Sequence, residues 1–150
     1  SPFMKMREKE GEALVQDIKK RAEEVSQGLR EIERLAPLFK QESFEKLRKR
    51  ILEFSLSLNE EKIAQEAVMW VQKSDVTEEI VRLHSHLEQL DELLKTKRKG
   101  VGKSLDFLAQ EMHREIHTLS AKAADCSIGK HAFLLKSAVE KIREQVQNIE

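Results

Sequence analysis

The chain has 150 residues, enough for one domain with a real core. Charged residues make up 36% and hydrophobic residues 39%, with five glycines, two prolines, one tryptophan and no tyrosine, a balance that favours helix throughout and excludes a typical aromatic-rich β-sandwich. Lysine plus arginine and aspartate plus glutamate number 27 each, and the resulting zero net charge excludes a general electrostatic grip on nucleic acid, so RNA contact would need local basic clusters.

Ser1 to Met6 lacks the apolar core of a signal peptide, and no stretch approaches the roughly 20 apolar residues that span a bilayer. With one cysteine, Cys126, the chain has no disulfide framework and no thiolate metal site, and a reducing cytoplasm is the expected compartment. The first helix is predicted from about Met4 to Leu38. Leu14, Ile18, Ala22, Val25, Leu29, Ile32 and Leu35 recur at steps of three and four, one helix face. The charge between them reads as a coiled-coil-like arm rather than a core helix. Pro37 is expected to end it, since proline lacks the amide donor and disfavours helix in the residue before it.

A second helix is expected from Gln41 to about Phe54, with Phe44, Leu47, Ile51 and Phe54 inward. Its Arg48-Lys49-Arg50 run reads most simply as a solvated face. Asn59 is a good N-cap for a third helix with Ile63, Ala67, Trp70 and Val71 on its apolar side and Trp70 as a packing anchor. Asp75 and Glu78 have capping-box spacing at the start of a fourth, which carries Ile80, Leu83, Leu87, Leu90 and Leu94 and ends in the basic stretch Lys95 to Lys99, closed by Gly100. A fifth helix reaches about Ala124. After a turn around Asp125 to Gly129, the last holds Phe133, Leu135, Ala138, Ile142, Val146 and Ile149. The fold class is all-α: a long arm and connecting helices over residues 1–73, then a core over 74–150, together one domain.

The fifth helix carries the most chemistry. At about 100° per residue, Leu105, Leu108, Met112, Ile116 and Leu119 share one apolar face. Glu111, Glu115, Thr118 and Lys122 lie on one polar flank, Asp106, Gln110, His113 and His117 on the other, and Lys103 and Arg114 at the back beside Phe107. Like charges at i, i+4, as in Glu111 and Glu115, cost a helix a few tenths of a kcal/mol. Two arrangements relieve that: a salt-bridge ladder, the commoner, or a divalent cation such as magnesium held partly through water. His113 and His117 can converge on one metal, with Asp106 or Gln110 as a third ligand, although solvated histidines at this spacing are commoner.

His84 and His86 are no chelating pair, because at i, i+2 their rings point roughly 160° apart. His86 instead shares a stripe with Glu78, Arg82 and Gln89. That row could bind phosphate through Arg82 and transfer a proton through His86, or be no more than intrahelical salt bridges. No Walker loop, GxGxxG, GxSxG, CxxC or HExxH motif occurs, which leaves ATP, dinucleotide, hydrolase-elbow, thiol and zinc-peptidase chemistry without support.

In order, Met6-Arg7 with Glu10-Gly11, Asp75 to Leu87 (DVTEEIVRLHSHL), Val101 to Glu115 (VGKSLDFLAQEMHRE) and the closing Lys141 to Glu150 (KIREQVQNIE) resemble the C-terminal end of the bacterial YicC family of endoribonucleases. Family members are about twice as long and open with an MTGFG-type motif absent here, so the resemblance identifies the chain with the C-terminal portion, Ser1 marking a cut in a longer protein. It implies cleavage of phosphodiester bonds in single-stranded RNA with magnesium or manganese. It also implies ring-like, hexamer-type homo-oligomers of the full-length protein. Glu78, Glu79, Arg82, His84 and His86 map onto one family motif, and Lys103, Asp106, Gln110, Glu111, Arg114, Glu115, Thr118 and Lys122 onto the other. The expected roles are catalysis by Glu78, His86, Glu111 and Glu115; phosphate binding by Arg82, Lys103, Arg114 and Lys122; and metal binding by Glu111 and Glu115, with Asp106, His113 and His117 as further candidates. Three positions depart from the pattern: His113 and His117 replace asparagines, Lys103 replaces an arginine and its bidentate fork, and Ala124 stands where an asparagine is expected. The rival expectation is a non-catalytic helical adaptor or oligomerisation module for RNA-processing enzymes.

Overall fold

The computed structural model describes residues 2–53, 60–96 and 100–149. Among them there are five helices and no strand: α1 (Pro2–Glu53), α2 (Glu60–Ser74), α3 (Thr77–Leu94), α4 (Val101–Ala123) and α5 (Gly129–Val146). None is long and apolar enough to cross a membrane.

The all-α expectation holds, with one join differently made. The two helices expected on either side of Pro37 are one helix of 52 residues, about 78 Å long at 1.5 Å per residue. Pro37 lies inside it on the exposed side. A proline in a helix interior costs about 3 kcal/mol. On either side of it Ile32 and Phe39 are fully buried, and burying each such side chain contributes about 1.5–3 kcal/mol. Tertiary burial on both sides therefore outweighs the local break. The arm-like character belongs to the start of α1, where the described side chains from Pro2 to Glu10 are exposed. From Ile18 to Phe39 the same helix is core.

Several expected inward positions differ. Phe44 is exposed, Leu47 and Ile51 are half-buried, and Phe54 and the expected cap Asn59 lie outside the described residues. On α2, Ile63, Ala67 and Val71 are exposed. This helix packs on α1 and only slightly on α4, so among the described residues nothing covers its far side. Trp70 is half-buried, edge-on to Phe44 with ring centroids 5.7 Å apart. On α5, Phe133 is exposed because the buried stripe runs Ala132, Leu135, Val139, Ile142, Val146, and Phe133 falls about 150° from the middle of it, nearly on the opposite side.

The expected stripes of α3 and α4 are the core: Leu83 and Leu90 meet Leu105, Leu108, Met112, Ile116 and Leu119. Helix α5 packs on both α1 and α4, and α3 packs on α4. Two glycines shape the chain on either side of α4. Gly100 adopts φ +88°, a left-handed conformation suited to glycine, ahead of α4. Between α4 and α5, a side chain at Gly129 would begin 2.6 Å from the Ala123 carbonyl oxygen, so the turn closes only around glycine.

Candidate functional site in the seam between α3 and α4

Asp75 sets where α3 begins. Its Oδ1 accepts the Thr77 backbone N–H at 2.9 Å, with Val76 in the cap position. Hydrogen bonds from the Thr77 hydroxyl and then its amide hold the Asp75 carboxyl below its ordinary range, with Lys40 and Lys122 adding to this. The expected capping box with Glu78 does not form, because the helix starts one residue later than that motif needs. Glu78 turns instead to Arg82, accepting a hydrogen bond from Nη2 at 3.1 Å.

From this start the first two turns of α3 face α4, running antiparallel to it. Arg82 Nη1 lies 3.5 Å from Oε1 of Glu115, a residue only 7% exposed. One turn back, Glu79 is 4% exposed and accepts a hydrogen bond from Lys122 Nζ at 2.7 Å. The same ammonium donates to the Asp75 carbonyl oxygen at 2.8 Å. The other Glu79 oxygen is buried without a partner among the described residues. One turn further along each helix come His86 on α3 and Glu111 on α4. His86 is half-buried, and its Nδ1 is buried with no partner among the described residues. Glu111, half-buried, lies 3.5 Å from Arg114 on its own helix.

The structure thus brings Glu78, Arg82 and Glu115 into one ion-pair chain, with the Glu111–Arg114 pair one turn along α4 from Glu115 and His86 one turn along α3 from Arg82. Lys122 belongs to the seam as well, but its ammonium already closes the α3 start, so phosphate there would compete with Glu79 and Asp75. Lys103 is exposed in the first turn of α4, well along the seam. Asp106, His113 and His117 lie apart. Asp106 accepts from Gln110 at 2.8 Å, and His113 lies 3.7 Å from Glu140 of α5 with its ring parallel to that of His117. His84 points the opposite way from His86 and bonds Glu33 on α1. In the basic run of α1, Arg48 pairs with Glu45 and Arg50 with Glu66, as a solvated face would. Lys95 pairs with Asp91, and Lys97, Arg98 and Lys99 lie outside the described residues.

Glu79 carries a larger structural load than its sequence suggests. The available signal was an acidic residue in a helix first turn, which points to the helix dipole; its burial against Lys122 follows only from the packing of α3 on α4. As for a metal, two carboxylates are hard oxygen donors suited to magnesium or manganese. Glu111 and Glu115 supply two, each beside a guanidinium, and no three His, Cys, Asp or Glu side chains converge among the described residues. Carboxylate oxygens are the donor type such a cation takes.

Comparison with known proteins agrees with the motifs on this seam. The family described as "Endoribonuclease YicC-like, C-terminal" matches residues 32–150. A relative from Clostridioides difficile (strain 630), "Probable endoribonuclease YicC", is 40% identical over 148 residues, covering 97% of this chain and 50% of its own length. Another of the same name, from Haemophilus influenzae (strain ATCC 51907 / DSM 11121 / KW20 / Rd), is 35% identical over 148 residues, covering 99% of this chain and 51% of its own. The chain spans about half the length of the curated relatives it matches. All of α2 to α5, and with them both helices of the seam, fall inside the matched region, and the chain belongs to the YicC-like endoribonuclease family.

Proposed function

We propose that this domain carries the cleavage site of an endoribonuclease that hydrolyses phosphodiester bonds in single-stranded RNA with the help of magnesium or manganese. The carrying observation is the Arg82–Glu115 contact at 3.5 Å, which joins an exposed guanidinium to a buried carboxylate across the seam. Arg82 is half-exposed and shared between Glu78 and Glu115. An incoming phosphate can take over one of those pairings with the fork geometry that guanidinium offers. Arg114, exposed on the next turn, is a second anchor for the backbone. Glu111 and Glu115 would hold the cation, which when bound supplies charge stabilisation and an acidified water. His86 moves a proton between solvent and the reacting phosphodiester, with Glu78 as the alternative acceptor across Arg82. The activity belongs to the full-length protein, which we take to be a ring-like homo-oligomer of the cytoplasm.

A fluorogenic single-stranded RNA incubated with full-length protein carrying this chain tests the reading. Cutting is expected with manganese and not with EDTA. The double variant Glu111→Gln, Glu115→Gln is expected to lose at least about 100-fold in kcat while its circular dichroism is unchanged. Normal cutting by the folded variant removes these two residues from the site.

The adaptor reading draws on a different observation. Val68 and Val71 of α2 are exposed on one side of that helix, which has the character of an interaction surface. No cutting by the wild-type protein under any divalent metal would favour it.

A further inference from the structure

Beyond the Arg82–Glu115 contact the seam continues to the other end of α4. There it opens into a groove of about 550 Å³ lined by Gln89, Glu92 and Leu93 of α3 and Lys103, Ser104, Phe107 and Leu108 of α4. Phe107 is 62% exposed, although the stripe beside it, Leu105, Leu108 and Met112, is buried. An aromatic ring left open on a helix with a complete apolar face of its own adds nothing to the core. Lys103, one turn away, makes no ion pair among the described residues.

We propose that this groove is a nucleobase subsite, in which one base of the RNA stacks on Phe107 while Lys103 holds the adjoining phosphate. The inference rests on the endoribonuclease reading and deepens it. Three features select a nucleotide over another occupant. Every base has a flat apolar face to lay on an aromatic ring, whatever its sequence. The groove is apolar in its floor, formed by Leu93, Leu108 and Phe107, and polar at its rim, where Gln89 and Ser104 can meet base edges. The free cation stands on the α4 side and a carboxylate, Glu92, on the α3 side, so a backbone phosphate is drawn to Lys103 and kept from the other wall. The groove is also continuous with the cleavage site: Phe107 precedes Glu111 by one helical turn, about 6 Å along α4. A base seated there places its neighbour beside the carboxylates.

The test uses full-length protein and a short single-stranded RNA carrying 2-aminopurine at each position in turn, mixed by stopped flow so that binding is read before cutting. In the wild type, one label position is expected to be quenched on binding. Phe107→Ala should lose that quench and bind about tenfold more weakly, within the range found for stacking of one base on an aromatic ring. Phe107→Trp should keep both. Removing the base at that position should weaken the wild type about tenfold and leave Phe107→Ala unaffected, a coupling that a merely structural residue would not show. Equal quench and affinity in wild type and Phe107→Ala, with normal cutting, overturns the subsite and leaves the endoribonuclease reading standing. Wild-type protein that neither binds nor cuts RNA overturns both. A lower assembly mass for Phe107→Ala by light scattering, with RNA binding unchanged, makes the groove a contact between copies and overturns the proposal.

Discussion

Lys122→Met isolates what holds α3 onto α4. The wild-type ammonium touches Glu79 at 2.7 Å and the Asp75 carbonyl at 2.8 Å, and the paired side chains are 24% and 6% exposed. Glu79 has no second donor among the described residues, since its other oxygen is already unpartnered. Methionine fills similar volume but leaves a buried carboxylate without its cation. Breaking a buried pair from one side costs about 3–5 kcal/mol, and the partial exposure of Lys122 puts this case near the lower end, about 3 kcal/mol. For a chain of this size, 1 kcal/mol shifts Tm by about 2–4 °C, so a drop of about 6–12 °C is expected, measured by circular dichroism at 222 nm and by urea titration. The partner change Glu79→Met in the same chain should recover most of the loss, because an apolar pair in place of a buried ion pair is commonly neutral or stabilising. Arg34→Ala, which breaks a fully exposed pair with Glu31, should leave Tm unchanged. The reasoning fails if Lys122→Met is as stable as Arg34→Ala, or if the double change is no better than the single one.

Pro37→Ala is expected to stabilise the chain by about 1–2 kcal/mol in urea titrations, since it restores a donor to an exposed helix interior without touching Ile32 or Phe39; destabilisation would show that the core depends on the proline. Asp75→Ala should cost about 1 kcal/mol at neutral pH through loss of the carboxylate that accepts the Thr77 N–H at the start of α3. Because the folded-state pKa of Asp75 is lowered, its contribution is fully present above the ordinary aspartate range and is lost as pH falls through the lowered value. The gap between wild type and Asp75→Ala should therefore close in acid, and a gap that stays constant down to the acid transition would sink the assignment.

Periodicity made α3 and α4 legible because each has an apolar stripe that packs on the core: Ile80, Leu83, Leu90, Leu105, Leu108, Met112, Ile116 and Leu119 are buried as expected, and Leu87 and Leu94 are half-buried against them. It misled at α2. The same spacing of Ile63, Ala67 and Val71 says only that a face is apolar, and whether anything packs against it is decided elsewhere in the chain. Pro37 shows the converse limit, a local breaker overruled by buried residues on both sides. For the candidate site, helical spacing sorted Glu111 and Glu115 from Asp106, His113 and His117, and the structure keeps those flanks apart. The partner of Glu115 could not be read from either helix alone. Its pairing with Arg82 depends on the antiparallel register of two helices, which no spacing within one of them encodes; the resemblance to a family named the residues, and the packing supplied the contact.

Helix α1 is held from Ile18 onward, by the core as far as Phe39 and by α2 and the turn before α5 beyond it. Mechanically it is a beam clamped beyond its first third, with about 24 Å of rod overhanging before Ile18. Slippage by one position would swing the clamped stripe about 100° and throw four or five large side chains into water, so the aim of the overhang is fixed even though its surface is bare. A tilt of about 5° at the clamp becomes about 2 Å at the tip. Small repacking around Ile18 is thereby amplified at the tip.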